Sequence, residues 1–411
     1  MLILLASLVV FLVILLLLVS ILLYAKTKLI PQGNVRLTIN EEKTLTVSPG
    51  ATLLSTLGDH KIFLPSACGG GATCGLCRCR VLSGGGDILP TETGFFTRKQ
   101  QQAHWRLACQ VKVKDTMQMT IPEEILGIKK WECEVISNRN ISTFIKEFKV
   151  KLPEGERLHF KSGGYIQIDI PACEIAFKDM QIEPAFREDW DKMRIWDLTM
   201  KNPTPTFRAY SMANHPAEGN IIMLNIRIAT PPWDKAKGAF AHLNPGVSSS
   251  YIFSRRPGDK VMISGPYGEF FLHDTENEMM FVGGGAGMAP MRSHIFHLFR
   301  TLQTRRKVTF WYGARSRREL FYEDEFRALE RQFPNFKFVI ALSEPKPEDH
   351  WNGPVGFIHQ VIFDAYLKHN DAPEDIEYYL CGPPLMTAAM TAMLDTLGVP
   401  KEMILFDDFG G

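Results

Sequence analysis

The chain is short of several things, and each shortage removes a class of protein. It has no excess of one charge: Lys+Arg number 46 and Asp+Glu 45 in 411 residues, a formal charge of +1. A nucleic-acid binder needs a basic field to displace counterions, so that partner class is excluded. No fixed-period repeat is visible, which argues against a solenoid or propeller. There is no low-complexity tract, and 45% hydrophobic with 22% charged residues is the composition of a folded chain. At this length two to four domains are expected rather than one core.

The sharpest absence is local. From Leu2 to Tyr24 there is no charged residue, and nearly every position is Leu, Val or Ile. A helix rises ~1.5 Å per residue, so the run reaches roughly the ~30 Å of a bilayer's hydrocarbon core. A cleaved signal peptide would want a basic start, a shorter apolar run and a small-residue exit. Here no Lys or Arg precedes the run, and Tyr24-Ala25-Lys26 is a poor exit. The expectation is a retained single-pass anchor over residues 2–24. Lys26, Lys28 and Arg36 then place the rest of the chain in the cytoplasm by the positive-inside rule. Eight cysteines in that reducing compartment read as cofactor ligands or buried apolar residues. The anchor carries no carboxylate and so suggests no ion path of its own.

Three further regions are expected: 33–125, 128–273 with an insertion at about 172–205, and 274–411. Pro31-Gln32-Gly33 reads as a linker. Beyond it, strands are expected at Val35–Ile39, 42–47 and 79–82, a short helix at 52–60, and a closing strand near 116–122. From Trp131 alternating strands at 133–136, 144–150, 165–168 and 221–226 suggest an antiparallel barrel. The stretch 174–206, with Trp190, Trp196 and many charges, breaks that rhythm; it reads as a surface or partner element, or as a plain long loop. From Glu278 apolar strands at 279–282, 308–312, 336–341 and 378–380 alternate with helices such as 289–302 and 322–332, as in a parallel sheet covered on both faces.

Cys68, Cys74, Cys77 and Cys109 form C-x5-C-x2-C and a distant fourth cysteine, the first three in a glycine-rich loop. Soft thiolates suit an iron–sulfur cluster or zinc. Glycine lets backbone N–H groups close on a bulky anionic cluster, whereas zinc sites show two close cysteine pairs, so the loop points to [2Fe–2S]. The spacing is one residue longer than the plant-type C-x4-C-x2-C. Cys79, on the following strand, reads as structural. In the barrel region Arg208, Tyr210 and Ser211 end a strand; Arg can clamp a phosphate, Tyr can lie on a flavin ring and Ser can reach its reactive edge. Gly246-Val247-Ser248-Ser249 opens a helix and could hold a pyrophosphate. Gly283-Gly284-Gly285-Ala286-Gly287 joins an apolar strand to a helix with Pro290 in its first turn, a dinucleotide signal of unusual spacing. Cys381-Gly382-Pro383 ends another strand, at the sheet edge where ligands bind.

In this order the motifs resemble the family of F subunits of the bacterial sodium-translocating NADH:quinone oxidoreductases, and the soluble regions resemble the wider ferredoxin–NADP+ reductase superfamily. The resemblance implies a multidomain α+β and α/β chain: transmembrane helix, β-grasp ferredoxin domain, antiparallel β-barrel FAD domain and doubly wound parallel-sheet NADH domain. It implies FAD held by Arg208, Tyr210, Ser211 and the turn Gly246, Val247, Ser248, Ser249. NADH would lie on Gly283, Gly284, Gly285, Ala286, Gly287, Gly382 and Pro383. Ser211 and Cys381 would flank the reacting atoms, with Phe406 stacked on the flavin. It also implies a bacterial inner-membrane location, partner subunits, and electrons ending on ubiquinone with sodium coupling. Arg315, Arg317 and Arg318 could accept a 2′-phosphate or be solvated charges; the expected substrate is NADH. The chemistry agrees, because a nicotinamide yields two electrons as hydride and a [2Fe–2S] centre takes one, so a flavin must stand between. Rival readings are a reductase component feeding an oxygenase and a membrane-tethered, non-catalytic ferredoxin.

Overall fold

A computed structural model describes residues 2–29, 33–234 and 236–407, with side chains of the first helix given at 7–22 and 24. Pro31 and Gln32 of the expected linker, and Asp408 and Phe409 of the tail, lie outside the described residues. The first helix is Leu2–Leu29. Its described side chains are exposed, among them Phe11 and Leu22. Among the described residues no helix is long and apolar enough to cross a membrane. The chain divides into two compact units, 1–129 and 130–411.

In the first unit a five-stranded sheet has the order Lys43–Val47, Val35–Ile39, Met117–Thr120, Arg78–Ser83, Trp105–Leu107. Val35–Ile39 pairs antiparallel with its hairpin partner and parallel with Met117–Thr120. The helix Leu53–Asp59 starts where Thr52 caps the Ser55 amide, and buries Leu53, Leu54 and Leu57.

In the second unit six strands run Thr206–Ser211, Tyr165–Ile170, Lys260–Tyr267, Lys129–Ser142, Ile145–Lys151, Ile221–Arg227. The antiparallel bridge Met212–Leu224 draws the two edges together, so the sheet curls into a barrel around Val135, Phe148, Ile166, Leu224 and Ile263. Lys129–Ser142 is one long strand rather than the short one expected, because register shifts near Val135 and Asn140 bend it without ending it.

The stretch 174–206 is neither a plain long loop nor only a surface element. Cys173–Ala176 pairs with Thr199–Asn202, and the helix Arg187–Lys192 between them drives Trp190 into the barrel core. Trp190 is fully buried, donates to the Thr143 carbonyl at 2.9 Å, and lies 6.2 Å from the Phe253 ring. The buried Lys146 ammonium donates to Gln181 O at 2.6 Å and Phe253 O at 3.4 Å, joining insertion to barrel. Periodicity could not show this, since the segment is irregular and its apolar anchors are single residues.

A parallel sheet ordered Phe336–Leu342, Val308–Ala314, Met279–Gly284, Glu377–Cys381, Ile404–Phe406 completes the unit. One face packs against Met291, Ile295, Phe326 and Leu329, the other against Ile358, Ile362, Met390 and Leu394. The helix expected over 289–302 is α-helical over Met288–Phe296 and continues as a π-turn over His297–Thr301. The edge strand Ile404–Phe406 is too short to show period-two alternation in the sequence.

If the insertion is part of the barrel core, Trp190→Ala costs about 3–5 kcal/mol and Trp190→Phe clearly less, as read by the urea midpoint of the purified protein. A midpoint unchanged by Trp190→Ala would show that the insertion does not support the barrel.

Candidate redox sites

The first site is built on a loop that cannot become helix. Gly69, Gly70, Ala72 and Gly75 all have positive φ, so the chain from Cys68 to Cys77 wraps rather than extends. The four sulfurs fall into two pairs. Cys68 Sγ and Cys74 Sγ are 3.4 Å apart, and the Cys77 thiol is hydrogen-bonded to Cys109. The Cys74 thiol's hydrogen bond pulls Cys68 down to about 3, against burial. The Cys77 bond likewise pulls Cys109 down to about 7. Among the described residues no three His, Cys, Asp or Glu converge on one ion position. A two-iron cluster takes two thiolates on each iron, so the two sulfur pairs fit [2Fe–2S].

Cys109 reaches the loop because an ion pair braces its approach. Glu92, with no exposure, accepts from Arg106 Nη2 at 2.8 Å and from the Leu107 amide at 2.8 Å. Arg106 Nη1 donates to the carbonyls of Gly85 and Gly86 at 3.0 and 2.8 Å. No sequence motif marks either residue; only the fold brings positions 92 and 106 together. Cys79 is buried, with Sγ 3.9 Å from the Arg106 carbonyl, off the sulfur cage.

In the second unit Thr206–Ser211 presents Arg208 and Tyr210 on one side of the barrel. Burial pushes the Tyr210 phenol up to about 12, while the Ser248 hydroxyl and the Arg208 charge beside it pull it down. Arg208 Nη1 is bound by Thr206 Oγ1 at 2.9 Å and Phe207 O at 2.7 Å; among the described residues no carboxylate pairs with it. Val247–Ser254 begins at Gly246 without a side-chain cap, so its first N–H groups are open to an anion. Arg208, Tyr210 and Ser248 therefore make a cationic, hydroxyl-bearing corner suited to a flavin's pyrophosphate. Ser249 is committed otherwise: its hydroxyl accepts from the Ala229 amide at 3.1 Å and donates to Gly246 O at 3.2 Å.

The glycine run forms the end of strand Met279–Gly284 and a 3-10 turn at Gly285–Gly287 before the helix. A Cβ on Gly287 would stand 2.1 Å from the Cys381 carbonyl oxygen and 2.8 Å from the Gly382 amide, so only glycine lets the two loops meet. Cys381 is buried in register with Gly283. The helix Met288–Phe296 also starts without a side-chain cap, next to Gly382-Pro383, as a pyrophosphate requires.

The tail brings a second residue to the site besides the one expected. Strand alternation puts Leu405 on the face that holds Cys381, and Ile404 on the other. By the same alternation Phe406 lies away from Cys381, paired with Leu380 and 56% exposed. Asp407 is that second residue: its carboxylate accepts from the Ser211 hydroxyl at 2.6 Å, and its amide donates to Leu380 O at 3.1 Å. An acidic residue beside the tail aromatic was the only sequence signal for it. Of the three arginines, Arg318 holds Glu188, Arg317 donates its amide to the Asp349 carboxylate and its guanidinium to the Asp349 carbonyl, and Arg315 and Arg317 are exposed.

A two-by-two thiolate cage, a barrel with an anion corner and a parallel sheet with a glycine loop define an iron–sulfur flavin reductase of the ferredoxin-reductase fold. Comparison with known proteins agrees. The 2Fe-2S iron-sulfur cluster binding domain family matches residues 37–114, and the oxidoreductase NAD-binding domain family matches 281–392. The chain is 55% identical over 394 residues, 96% of each chain, to the F subunit of the Na(+)-translocating NADH-quinone reductase of Methylococcus capsulatus. It is 53% identical over 405 residues to that of Neisseria gonorrhoeae, covering 98% of this chain and 99% of the relative. The chain belongs to this family of F subunits. In fold it is similar to an Amycolatopsis cytochrome P450 reductase, with a TM-score of 0.63 at 20% identity over 91% of this chain and 98% of that one.

Glu92→Gln leaves Arg106 without its buried counter-charge, an effect of about 3–5 kcal/mol for such pairs. It should lower the urea midpoint and speed the loss of iron from the purified chain; iron retention equal to wild type would remove the bracing role from Glu92.

Proposed function

We propose that this chain is the electron-input subunit of a membrane NADH:quinone reductase. NADH gives hydride to FAD, and electrons leave singly through the [2Fe–2S] cluster to partner subunits. The observation that carries the reading is the presence, in one chain, of the paired sulfurs and of the glycine loop held against Cys381. FAD supplies the step between a two-electron donor and a one-electron acceptor.

The residues divide the work. Arg208, Tyr210 and the helix start at Gly246, Val247 and Ser248 hold the flavin's phosphates. The Gly283–Gly287 loop with Gly382 and Pro383 holds those of NADH. Ser211 and Cys381 flank the reacting atoms, and Asp407 fixes the Ser211 hydroxyl at 2.6 Å. Phe406, beside Asp407 and with an exposed ring, is the residue that the family resemblance sets against the flavin. Arg318 is paired with Glu188 and the Arg317 guanidinium with the Asp349 carbonyl, which favours NADH over NADPH. Residues 2–24 anchor the chain as one span in the bacterial inner membrane, with both units on the cytoplasmic side. The relatives are named for sodium translocation; any such coupling belongs to the assembled complex, for the apolar helix has no carboxylate.

Anaerobic titration with NADH tests the reading. Wild type should lose its flavin colour and then gain the EPR signal of a reduced cluster. Cys77→Ala should still lose the flavin colour while one-electron transfer to an acceptor stops. A colourless protein, or one carrying zinc in place of iron and sulfide, would overturn it. Deleting residues 1–24 should release the chain from the membrane fraction without detergent, with NADH oxidation retained.

A further inference from the structure

We propose that Arg292 and Ser293 are positioning residues that set the distance between flavin and nicotinamide; the proposal rests on the function given above. Both stand on Met288–Phe296, the helix whose amino end follows the glycine loop. Both reach into the barrel, to the segment that directly follows Ser211. Arg292 Nη1 donates to Ala213 O at 2.9 Å, and Ser293 Oγ donates to Asn214 O at 2.8 Å. Two successive helix residues thus grip two successive carbonyls, two and three positions beyond the serine at the flavin edge.

The grip is built to be stiff. Arg292 is 5% exposed and its fork meets both Glu218 oxygens at 2.8 Å, with Glu325 Oε2 at 2.8 Å on Nη2. Its guanidinium lies 4.5 Å from the Phe296 ring centroid and 5.3 Å from that of Tyr322. Glu218 also accepts from the His215 amide at 2.9 Å, which closes the turn carrying both carbonyls. Asn214 is pinned from the barrel side, donating to Ile221 O and accepting from the Met223 amide, each at 2.9 Å. Ala213, Met223 and Ala289 fill the space between. Burial opposes the Glu218 charge, but the Arg292 bonds and charge win and hold its carboxyl below the ordinary value.

Hydride transfer needs the reacting atoms ~3–3.5 Å apart, and a ~1 Å misplacement costs on the order of 100-fold. The two cofactors sit on different layers, so some contact must convert helix position into ring distance. The fork of Arg292 resists both sliding and rotation; a lysine keeps the charge and loses the fork.

The test uses full-length protein with FAD bound, comparing wild type, Arg292→Lys and Ser293→Ala. NADH affinity comes from quenching of protein fluorescence, and hydride transfer from stopped-flow flavin bleaching with NADH and its 4-deuterated form. Hydrogen exchange of the 213–218 amides gives a readout independent of activity. Arg292→Lys should hold flavin content and NADH affinity within ~3-fold, slow hydride transfer about 10-fold or more, raise the deuterium effect on turnover and speed exchange over 213–218. Ser293→Ala should move the same readouts less far. Either variant losing flavin or NADH affinity with an unchanged hydride rate would overturn the proposal, and so would wild-type rates and exchange in both. Failure of wild type itself to bleach with NADH would instead sink the function on which it rests.

Discussion

The second unit depends on one close approach. The helix that follows the glycine loop begins against the carbonyl of Cys381, and a single Cβ at Gly287 would overlap that oxygen. Because they touch, the uncapped helix end and the Cys381-Gly382-Pro383 turn form one rim of the sheet. A dinucleotide laid on that rim, as proposed, would have its phosphates on N–H groups and its nicotinamide beside a buried thiol. Steric exclusion at one carbon atom is what makes this geometry sharp, and no attractive contact nearby could substitute for it.

The first unit solves a different problem, that of gathering negative charge. Four thiolates repel each other and are costly to bury. The loop answers with positive-φ glycines that turn N–H groups inward, and with hydrogen bonds inside each sulfur pair that hold one member toward thiolate. The Glu92–Arg106 pair sets the distant cysteine in place while leaving no charge uncompensated. The barrel's anion corner follows the same logic with the sign reversed, since Arg208 stands beside an open helix end and, among the described residues, pairs with no carboxylate.

Much of this was legible. Period-two runs such as Val35–Ile39 and Ile221–Arg227, and the apolar strands of the parallel sheet, announce themselves because each has one burial environment along its length. The cysteine spacing and the strand–glycine–helix order were legible because both chemistries use residues near one another in the chain. The insertion was not, as its fold rests on Trp190 and on Lys146, remote residues that no local pattern links. The contact made by Asp407 was hidden for a related reason. Phe406 is the conspicuous residue, yet a strand alternates, and the turn of one position delivers Asp407 to Ser211.

Residue order alone settles which groups are present and their local frames: four thiols in a glycine loop, hydroxyls and an arginine at a strand end, glycines before a helix. Those depend on short-range sterics and periodicity, which neighbours decide. Tertiary packing settles the rest: the pairing of sulfurs two by two, the bracing of Cys109 through Glu92, the meeting of Asp407 with Ser211 and the grip of Arg292 on Ala213. The last three join residues 15, 196 and 79 positions apart, where contact is set by how whole sheets pack rather than by any preference the residues carry.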